Sequence, residues 1–357
     1  MSESESLLTV RNVSNTYVTR GYGGFGKKEK KPVLDRISIE MKPGEIFGLV
    51  GESGCGKTTL GLSILGLIDH EGEIWIDGLR QDKRRRREMA RKVQAVFQDP
   101  SSSLNPVKRI GWLLEEPLRI HRLGTRRERI RRVDEVLRLV GLDPSYKTRR
   151  IAELSGGQKQ RVCIGCALML EPKLIIADEA ISALDVSVGA QILNLFRDLH
   201  ERLGLALVFI SHNLNLVYYL CDRIAVMYNG RIVELGTARA VYSAPAHPYT
   251  RTLLEAVPGI AGENPEPPGC ALSDASGYAP GDTQEEPEPV LPPASKRREP
   301  AEGECCRFAS RCRRRESRCG IAAPEPVNIA PPGEPPHEVW CVRPLAVSRW
   351  PSAADSE

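Results

Sequence analysis

The stretch Glu45-Ile46-Phe47-Gly48-Leu49-Val50-Gly51-Glu52-Ser53-Gly54-Cys55-Gly56-Lys57-Thr58-Thr59 decides the fold. Its first part is an apolar run of strand length. Gly51 to Thr58 then fits G-x-x-x-x-G-K-[ST], the pattern of a phosphate-binding loop. A helix is expected to follow from Lys57 to Leu67. Glycines let the backbone turn its N–H groups inward around phosphate oxygens, and the helix N-terminus adds a favourable dipole. In that arrangement Lys57 neutralises β- and γ-phosphate charge, and Thr58 offers its hydroxyl to Mg²⁺. Ser53, Gly54, Cys55 and Gly56 supply loop backbone, and Thr59 stands in the first helical turn. Cys55 fills a variable slot of the pattern and needs no special role.

Leu174-Ile175-Ile176-Ala177-Asp178-Glu179 is a second apolar strand, ending in two carboxylates. At a sheet's C-terminal edge, beside a phosphate loop, Asp178 would hold Mg²⁺, directly or through water. Glu179 could polarise the attacking water. Many NTPases share these two features, kinases and GTPases among them. Leu154-Ser155-Gly156-Gly157-Gln158 separates them. A serine and two glycines ahead of a helix starting near Lys159 make a second anion nest. One chain cannot easily aim both nests at one nucleotide. Two chains arranged head to tail can, each giving its second nest to the other's ATP.

Working outward, residues 1 to 256 read as an alternating α/β domain. Leu7 to Val13 is an expected strand, and Leu205 to Ile210 is a continuous apolar run suited to a strand buried on both faces of a parallel sheet. Val188 to Leu203 reads as a crossover helix. Arg223 to Tyr228 and Arg231 to Leu235 flank Asn229-Gly230, which tolerates the positive φ of a type I′ hairpin turn. Residues from about 100 to 160 are helical in pattern: Ile130, Val133, Val136, Leu137 and Val140 repeat at three and four, with Gly141 as the stop. From 257 to 302 the chain is rich in Pro, Glu and Gly and reads as a linker. A cysteine-rich module from 303 to 345 and a tail from 346 to 357 complete it.

The 357 residues carry a net charge of +4, so no global field argues for nucleic acid. Basic runs at Lys27 to Lys31 and Lys83 to Arg87 read as solvated faces. The N-terminus lacks the basic and apolar regions of a secretory signal. No apolar stretch reaches the roughly 18 residues of a membrane span. A membrane role therefore requires docking on other subunits.

In combination the motifs resemble the ATP-binding cassette (ABC) family over residues 5 to 256. Gly51 to Thr58 resembles its Walker A motif and Leu174 to Glu179 its Walker B motif. Leu154 to Gln158 is similar to its signature, and Gln98 in Val96-Phe97-Gln98-Asp99-Pro100 to its Q-loop. Ser182-Ala183-Leu184-Asp185 resembles the D-loop, and His212, 33 residues after Glu179, the switch histidine. Tyr17 is the candidate for stacking on adenine, with Tyr22 or Phe25 as competitors. The resemblance implies an α/β P-loop NTPase (RecA-like) core with an antiparallel β subdomain and an inserted helical subdomain. It implies ATP and Mg²⁺ as ligands, with Thr58, Gln98 and Asp178 around the metal and Glu179, His212 and Gln98 as catalytic residues. Gly51, Ser53, Gly54, Cys55, Gly56, Lys57, Thr58 and Thr59 would bind one nucleotide. Ser155 and Gly157 would touch the γ-phosphate bound by the opposite chain, and Gly156, Gln158 and Asp185 would belong to the same nucleotide site.

Narrower features resemble the oligopeptide and dipeptide importer branch, which also contains nickel importers. They include Gln98-Asp99-Pro100-Ser101-Ser102-Ser103-Leu104-Asn105-Pro106 and Ala246-His247-Pro248-Tyr249-Thr250. Such importers pair a second ATPase subunit, two transmembrane permease subunits and an extracellular solute-binding protein, with the ATPases peripheral on the cytoplasmic membrane face. Three positions depart from the branch: Ala180 stands for proline, Asn213 for aspartate and Cys166 for arginine. None removes a phosphate or metal ligand. They leave open a weakly hydrolysing regulatory partner in a heterodimer. A translation or DNA-repair ABC protein would carry two cassettes or a long coiled-coil insertion, and only 56 residues separate Gln98 from Leu154.

Five of the ten cysteines fall in the last 53 residues. In a reducing compartment such clustering suggests metal rather than disulfides. Cys306-x5-Cys312-x6-Cys319-x21-Cys341 offers four thiolates, which suit an iron–sulfur cluster or structural Zn²⁺. Branch members carry a similar tail, and that resemblance implies a [4Fe–4S] cluster, with Cys305 competing with Cys306 as ligand. Cys163, Cys166 and Cys221 lie in apolar stretches and read as small core residues. Cys270 has no assigned role.

Overall fold

The computed structural model describes residues 6–20, 28–256, 305–321 and 323–345. The expected linker with Cys270, the tail, Tyr22 and Phe25 lie outside the described residues. The described residues form two compact units, those within 1–47 and 57–211 and those within 48–56 and 212–345.

The first unit opens with β1 (Leu8–Arg20) and β2 (Lys28–Met41), paired antiparallel from Leu8 opposite Met41 to Arg20 opposite Lys28. β1 outlasts the expected Leu7–Val13 because register shifts near Asn12, whose φ is 50°, let pairing resume beyond the irregularity. β3 (Ile46–Val50) starts in this unit and ends in the other. α1 (Lys57–Ile64) is shorter than predicted, and Gly66, at φ 68°, follows its end. β4 (Glu71–Ile76) pairs with β1, and β5 (Leu79–Arg80) with β4, giving the antiparallel order β2-β1-β4-β5. Leu8, Val10, Ile37, Ile39, Ile74 and Ile76 are buried at alternate positions, as a sheet with one covered face requires.

α2 (Arg86–Lys92) leads into β6 (Val93–Val96). The helical region then contains α3 (Pro100–Ser103), α4 (Ile110–Ile120), α5 (Arg126–Leu139) and the start of α6 (Gly156–Leu168). Thr125 and Glu128 cap α5 reciprocally, and Val133, Val136 and Leu137 form its buried stripe. β7 (Leu174–Asp178), α7 (Val186–Leu203) and β8 (Ala206–Ile210) follow. β6, β7 and β8 run parallel, with Val96 opposite Ala177 and Asp178 opposite Ile210. Every residue of β7 and β8 is buried, the consequence of cover on both faces. Each such aliphatic side chain contributes about 1.5–3 kcal/mol. α7 starts two residues earlier than predicted because the Asp185 side chain accepts from Val188 N–H and caps it.

In the second unit α8 (Leu214–Leu220) precedes β9 (Arg223–Tyr228) and β10 (Arg231–Thr237). Asn229 and Gly230 take φ of 44° and 81°, as the predicted I′ turn needs. α9 (Ala238–Ser243) and α10 (Pro248–Glu255) follow. The cysteine-rich segment lies in this same unit. Its β11 (Val327–Asn328) pairs with β12 (Glu338–Val339), which pairs antiparallel with β10, Val339 opposite Glu234. Glu234 is fully buried; it accepts from the Ala246 and His247 backbone N–H groups and meets His337 Nε2 at 2.7 Å. Phe308 packs edge-on against Tyr228 with ring centroids 5.2 Å apart, and against Tyr249 at 5.4 Å. Among the described residues no helix is long and apolar enough to cross a membrane.

Candidate functional site

The glycine loop between β3 and α1 is held by its own unit. Gly51, Gly54 and Gly56 adopt φ of 149°, 78° and 107°. A Cβ on Gly51 would stand 2.2 Å from the Met227 carbonyl oxygen in β9, so only glycine lets the loop pass there. Cys55 is buried, and its carbonyl accepts from Gly230 N–H of the hairpin turn at 2.8 Å. The Glu52 N–H donates to the Tyr249 hydroxyl at 3.0 Å. Ser53 and Gly54 are exposed at the loop crest.

At the loop's end α1 begins with Lys57, buried, and Thr58, exposed, followed by half-buried Thr59. Within the first unit the Thr58 hydroxyl bonds to the Asp178 carboxyl at the end of β7. Burial raises the Asp178 pKa above the ordinary carboxylate value, and the Glu179 charge adds to this. The Thr58 hydrogen bond and the Lys57 charge oppose it. Asp178 Oδ1 is buried with no hydrogen-bond partner. A buried carboxylate oxygen left so is costly, on the order of 1–3 kcal/mol or more. A divalent cation beside it would satisfy the oxygen and the charge together, and two hard oxygen donors suit Mg²⁺.

Glu179 is half-buried, one residue past β7, with φ 48°. A non-glycine residue there stores about 1–3 kcal/mol of strain, a feature that gathers at functional sites. Its N–H donates to Ile210 O at 3.0 Å, and its carbonyl accepts from the Ser182 hydroxyl at 2.9 Å. Gln98 is exposed two residues past β6. Because β6 and β7 are parallel and in register, Gln98, Asp178 and Glu179 come to the same C-terminal sheet edge.

Ser155 is the exposed N-cap of α6: its side chain accepts from Gln158 N–H, and Gln158 returns a bond to the Ser155 N–H. The helix therefore begins at Gly156, three residues before the expected start, because that capping box makes the glycines its first turn. The opening N–H groups have no intrahelical acceptor. A Cβ on Gly157 would meet Val188 Cγ1 at 2.4 Å, so this end of α6 approaches α7 closely. Asp185 caps α7 and is exposed, and neighbouring Val186 is 90% exposed.

His212 is exposed in the second unit, immediately before the N-cap of α8. That cap is Asn213, whose Oδ1 accepts from Asn215 and Leu216 N–H. Asparagine thus performs the capping an aspartate would perform. Ala180 and Cys163 are buried; Cys166 is half-buried, and desolvation raises its thiol pKa. Tyr17 lies on β1 opposite Lys31 and is 41% exposed.

Cys306, Cys312, Cys319 and Cys341 line one small pocket of about 10 Å³ in the second unit. Cys305 does not line it; it is buried, and its carbonyl accepts from Arg231. Burial pushes the Cys306 thiol up to about 11, against a backbone hydrogen bond at Phe308, and nearby thiol charges add to the rise. Burial also raises Cys312 and Cys341. Among the described residues no three His, Cys, Asp or Glu side chains converge as one bound ion demands.

Sequence reasoning gave no role to Glu52, Tyr249 or Arg311. The Arg311 guanidinium pairs with the Glu52 carboxylate across 259 positions, through Nη1–Oε2 at 3.1 Å and Nη2–Oε1 at 3.2 Å. Only the placement of Glu52 inside the loop motif hinted at it.

Comparison with known proteins adds lineage to this geometry. The family model described as ABC transporter matches residues 34–182, and that described as Oligopeptide/dipeptide transporter, C-terminal region, matches 233–277. A peptide import ATP-binding protein of Brucella ovis is 40% identical over 341 residues, covering 94% of this chain and 98% of that protein. The glutathione import ATP-binding protein GsiA of Salmonella paratyphi A is 45% identical over 277 residues, 76% of this chain and 44% of that protein. Among solved structures, an ATP-binding cassette captured as a post-hydrolysis dimer with ADP and phosphate superposes with a TM-score of 0.57. It is 29% identical, over 65% of this chain and 99% of that one.

Proposed function

This chain belongs to the ABC transporter ATP-binding family, and from that premise we propose that it powers a di- or oligopeptide importer by hydrolysing ATP between two cassettes. The observation that carries the reading is the buried, partnerless Asp178 oxygen beside Thr58, at the start of the helix that follows the glycine loop. A general surface acid needs no such placement; a phosphate-bound Mg²⁺ does.

Backbone groups of Gly51, Ser53, Gly54, Cys55 and Gly56 and the ammonium of Lys57 bind the triphosphate. Thr58, Asp178 and Gln98 hold the Mg²⁺, which when bound neutralises charge developing on the transferred phosphoryl group. Glu179 orients and deprotonates the attacking water, His212 hydrogen-bonds the γ-phosphate, and Tyr17 stacks on adenine. Ser155, Gly156, Gly157, Gln158 and Asp185 of a second cassette close over the same nucleotide. ATP thus draws two cassettes together, and release of phosphate lets them part. Electrostatic preorganisation carries most of the rate.

Three observations support the joint site: the exposed α6 N-terminus, the exposed Asp185-Val186 corner and the likeness to a cassette solved as a dimer. The partners follow from the family: a second, homologous ATPase, two permease subunits that place the chain peripherally on the cytoplasmic membrane face, and a solute-binding protein. The nearly full-length likeness to a peptide import ATP-binding protein favours peptides as the cargo. Purification of a tagged chain from membranes, expressed with the subunits of its transporter, should retain two polytopic permeases through detergent exchange. Recovery of the chain without any membrane subunit would reject the transport role.

In the same reading the residues 303–345 form a [4Fe–4S] module. Cys306, Cys312, Cys319 and Cys341 are the ligands, because these four line the shared pocket and Cys305 does not. A cluster there would staple segments that have little apolar surface of their own. Anaerobically purified protein is expected to be brown, with absorbance near roughly 400 nm that Cys312→Ser bleaches. Iron-free, colourless wild-type protein would reject the module.

A further inference from the structure

We propose that Arg311, carried by the cysteine-rich segment, is a positioning residue for the phosphate loop and acts through Glu52. The inference rests on the nucleotide reading above. Its parts all lie in the second unit. The guanidinium presents two N–H groups to the two Glu52 oxygens, at 3.1 and 3.2 Å. This bidentate fork fixes direction as well as distance, which an ammonium cannot do. The two side chains are only 16% and 29% exposed, so water weakens the pair less than at an open surface.

Glu52 is held from both ends. Its carboxylate meets Arg311, while its backbone N–H donates to the Tyr249 hydroxyl at 3.0 Å. Arg311 Nη1 also reaches the Tyr228 hydroxyl at 3.5 Å, and its guanidinium lies 5.8 Å from that ring's centroid. Tyr228, Tyr249 and Phe308 pack on one another beneath it. Arg311 N–H and Cys312 N–H both donate to Phe308 O at 3.0 Å, so the arginine stands on the same turn as a pocket cysteine. The path from the cysteine pocket to the loop thus has one covalent step, Cys312 to Arg311, and one ion pair, Arg311 to Glu52. The segment holds in place a loop whose N–H groups must already point at phosphate, so that binding need not supply the ordering.

The test compares wild type, Arg311→Ala, Arg311→Lys, Glu52→Gln and the double variant Glu52→Gln/Arg311→Ala in the full-length chain. Two readouts are used: steady-state ATP hydrolysis, and hydrogen–deuterium exchange of the peptide spanning residues 48–58. For Arg311→Ala we expect kcat/KM for ATP to fall about tenfold, chiefly through KM, the order of one charge-assisted pair. Exchange in the loop should rise. Arg311→Lys should recover only part of each effect. The double variant should be no worse than the more impaired single variant, as expected when both remove one interaction. Unchanged loop exchange in a folded Arg311→Ala protein, or additive losses in the double variant, would overturn the proposal. If wild type failed to turn over ATP, the nucleotide reading would fall, while the exchange measurement would still judge the Arg311–Glu52 brace.

Discussion

Glu179→Gln is expected to bind Mg²⁺ and ATP with nearly wild-type affinity and to hydrolyse the nucleotide about 10³-fold more slowly, within the range of one general base. The substitution is isosteric, and the backbone at this position is fixed by groups the change does not touch. The N–H still donates to Ile210 O, and the carbonyl still accepts from Ser182. The strained φ of 48° is therefore retained, because β8 and the following turn impose it rather than the side chain. Asp178 keeps its buried oxygen for the metal. What disappears is a carboxylate able to take a proton from water. Single-turnover hydrolysis should show the loss, and size-exclusion in ATP should show a lasting dimer, since closure survives while its release does not. Hydrolysis at the wild-type rate would remove Glu179 as the base. A monomer that still binds ATP would instead strike at the shared site.

The parts of the molecule that were legible in the sequence are those whose cause is local. The Gly51 to Thr58 loop, the all-buried runs of β7 and β8 and the Asn229-Gly230 turn each carry their reason within a few residues. Element ends were less legible, because caps decided them: Ser155 with Gln158 drew α6 back to Gly156, and Asp185 drew α7 back to Val186. Least legible was the seating of the cysteine-rich segment. Nothing in the hairpin strand marks Glu234 as different from a surface acid, yet it is fully buried, because His337 and two backbone N–H groups satisfy it. His337 is 103 positions away and Arg311 is 259 from Glu52. No periodicity or turn chemistry spans such distances, and neither pairing has a spacing rule. That Cys306 rather than Cys305 lines the pocket has the same character, since adjacent cysteines are distinguished only by which one the fold turns toward it.

Gly51→Ala should be the most damaging single-methyl change in the loop, and the reason lies in β9 rather than in the nucleotide. The added Cβ would sit 2.2 Å from the Met227 carbonyl oxygen and 2.8 Å from Cys55 Sγ. Met227 is fully buried in the hairpin strand and its carbonyl belongs to the backbone, so no rotamer change relieves the contact. The φ of 149° adds a conformation that L-residues rarely adopt. Together these should destabilise the protein by about 3 kcal/mol or more, lowering Tm by roughly 6–12 °C, and abolish measurable ATP binding. Gly54→Ala supplies the control. Its φ of 78° is also left-handed, but a Cβ there meets nothing within 4 Å. Only the backbone preference is lost, about 1–2 kcal/mol. Thermal unfolding of both variants without nucleotide separates the two terms. A Gly51→Ala shift no larger than that of Gly54→Ala would mean that β9 does not confine the loop. The reason for a glycine at position 51 would then have to be sought in the phosphate itself.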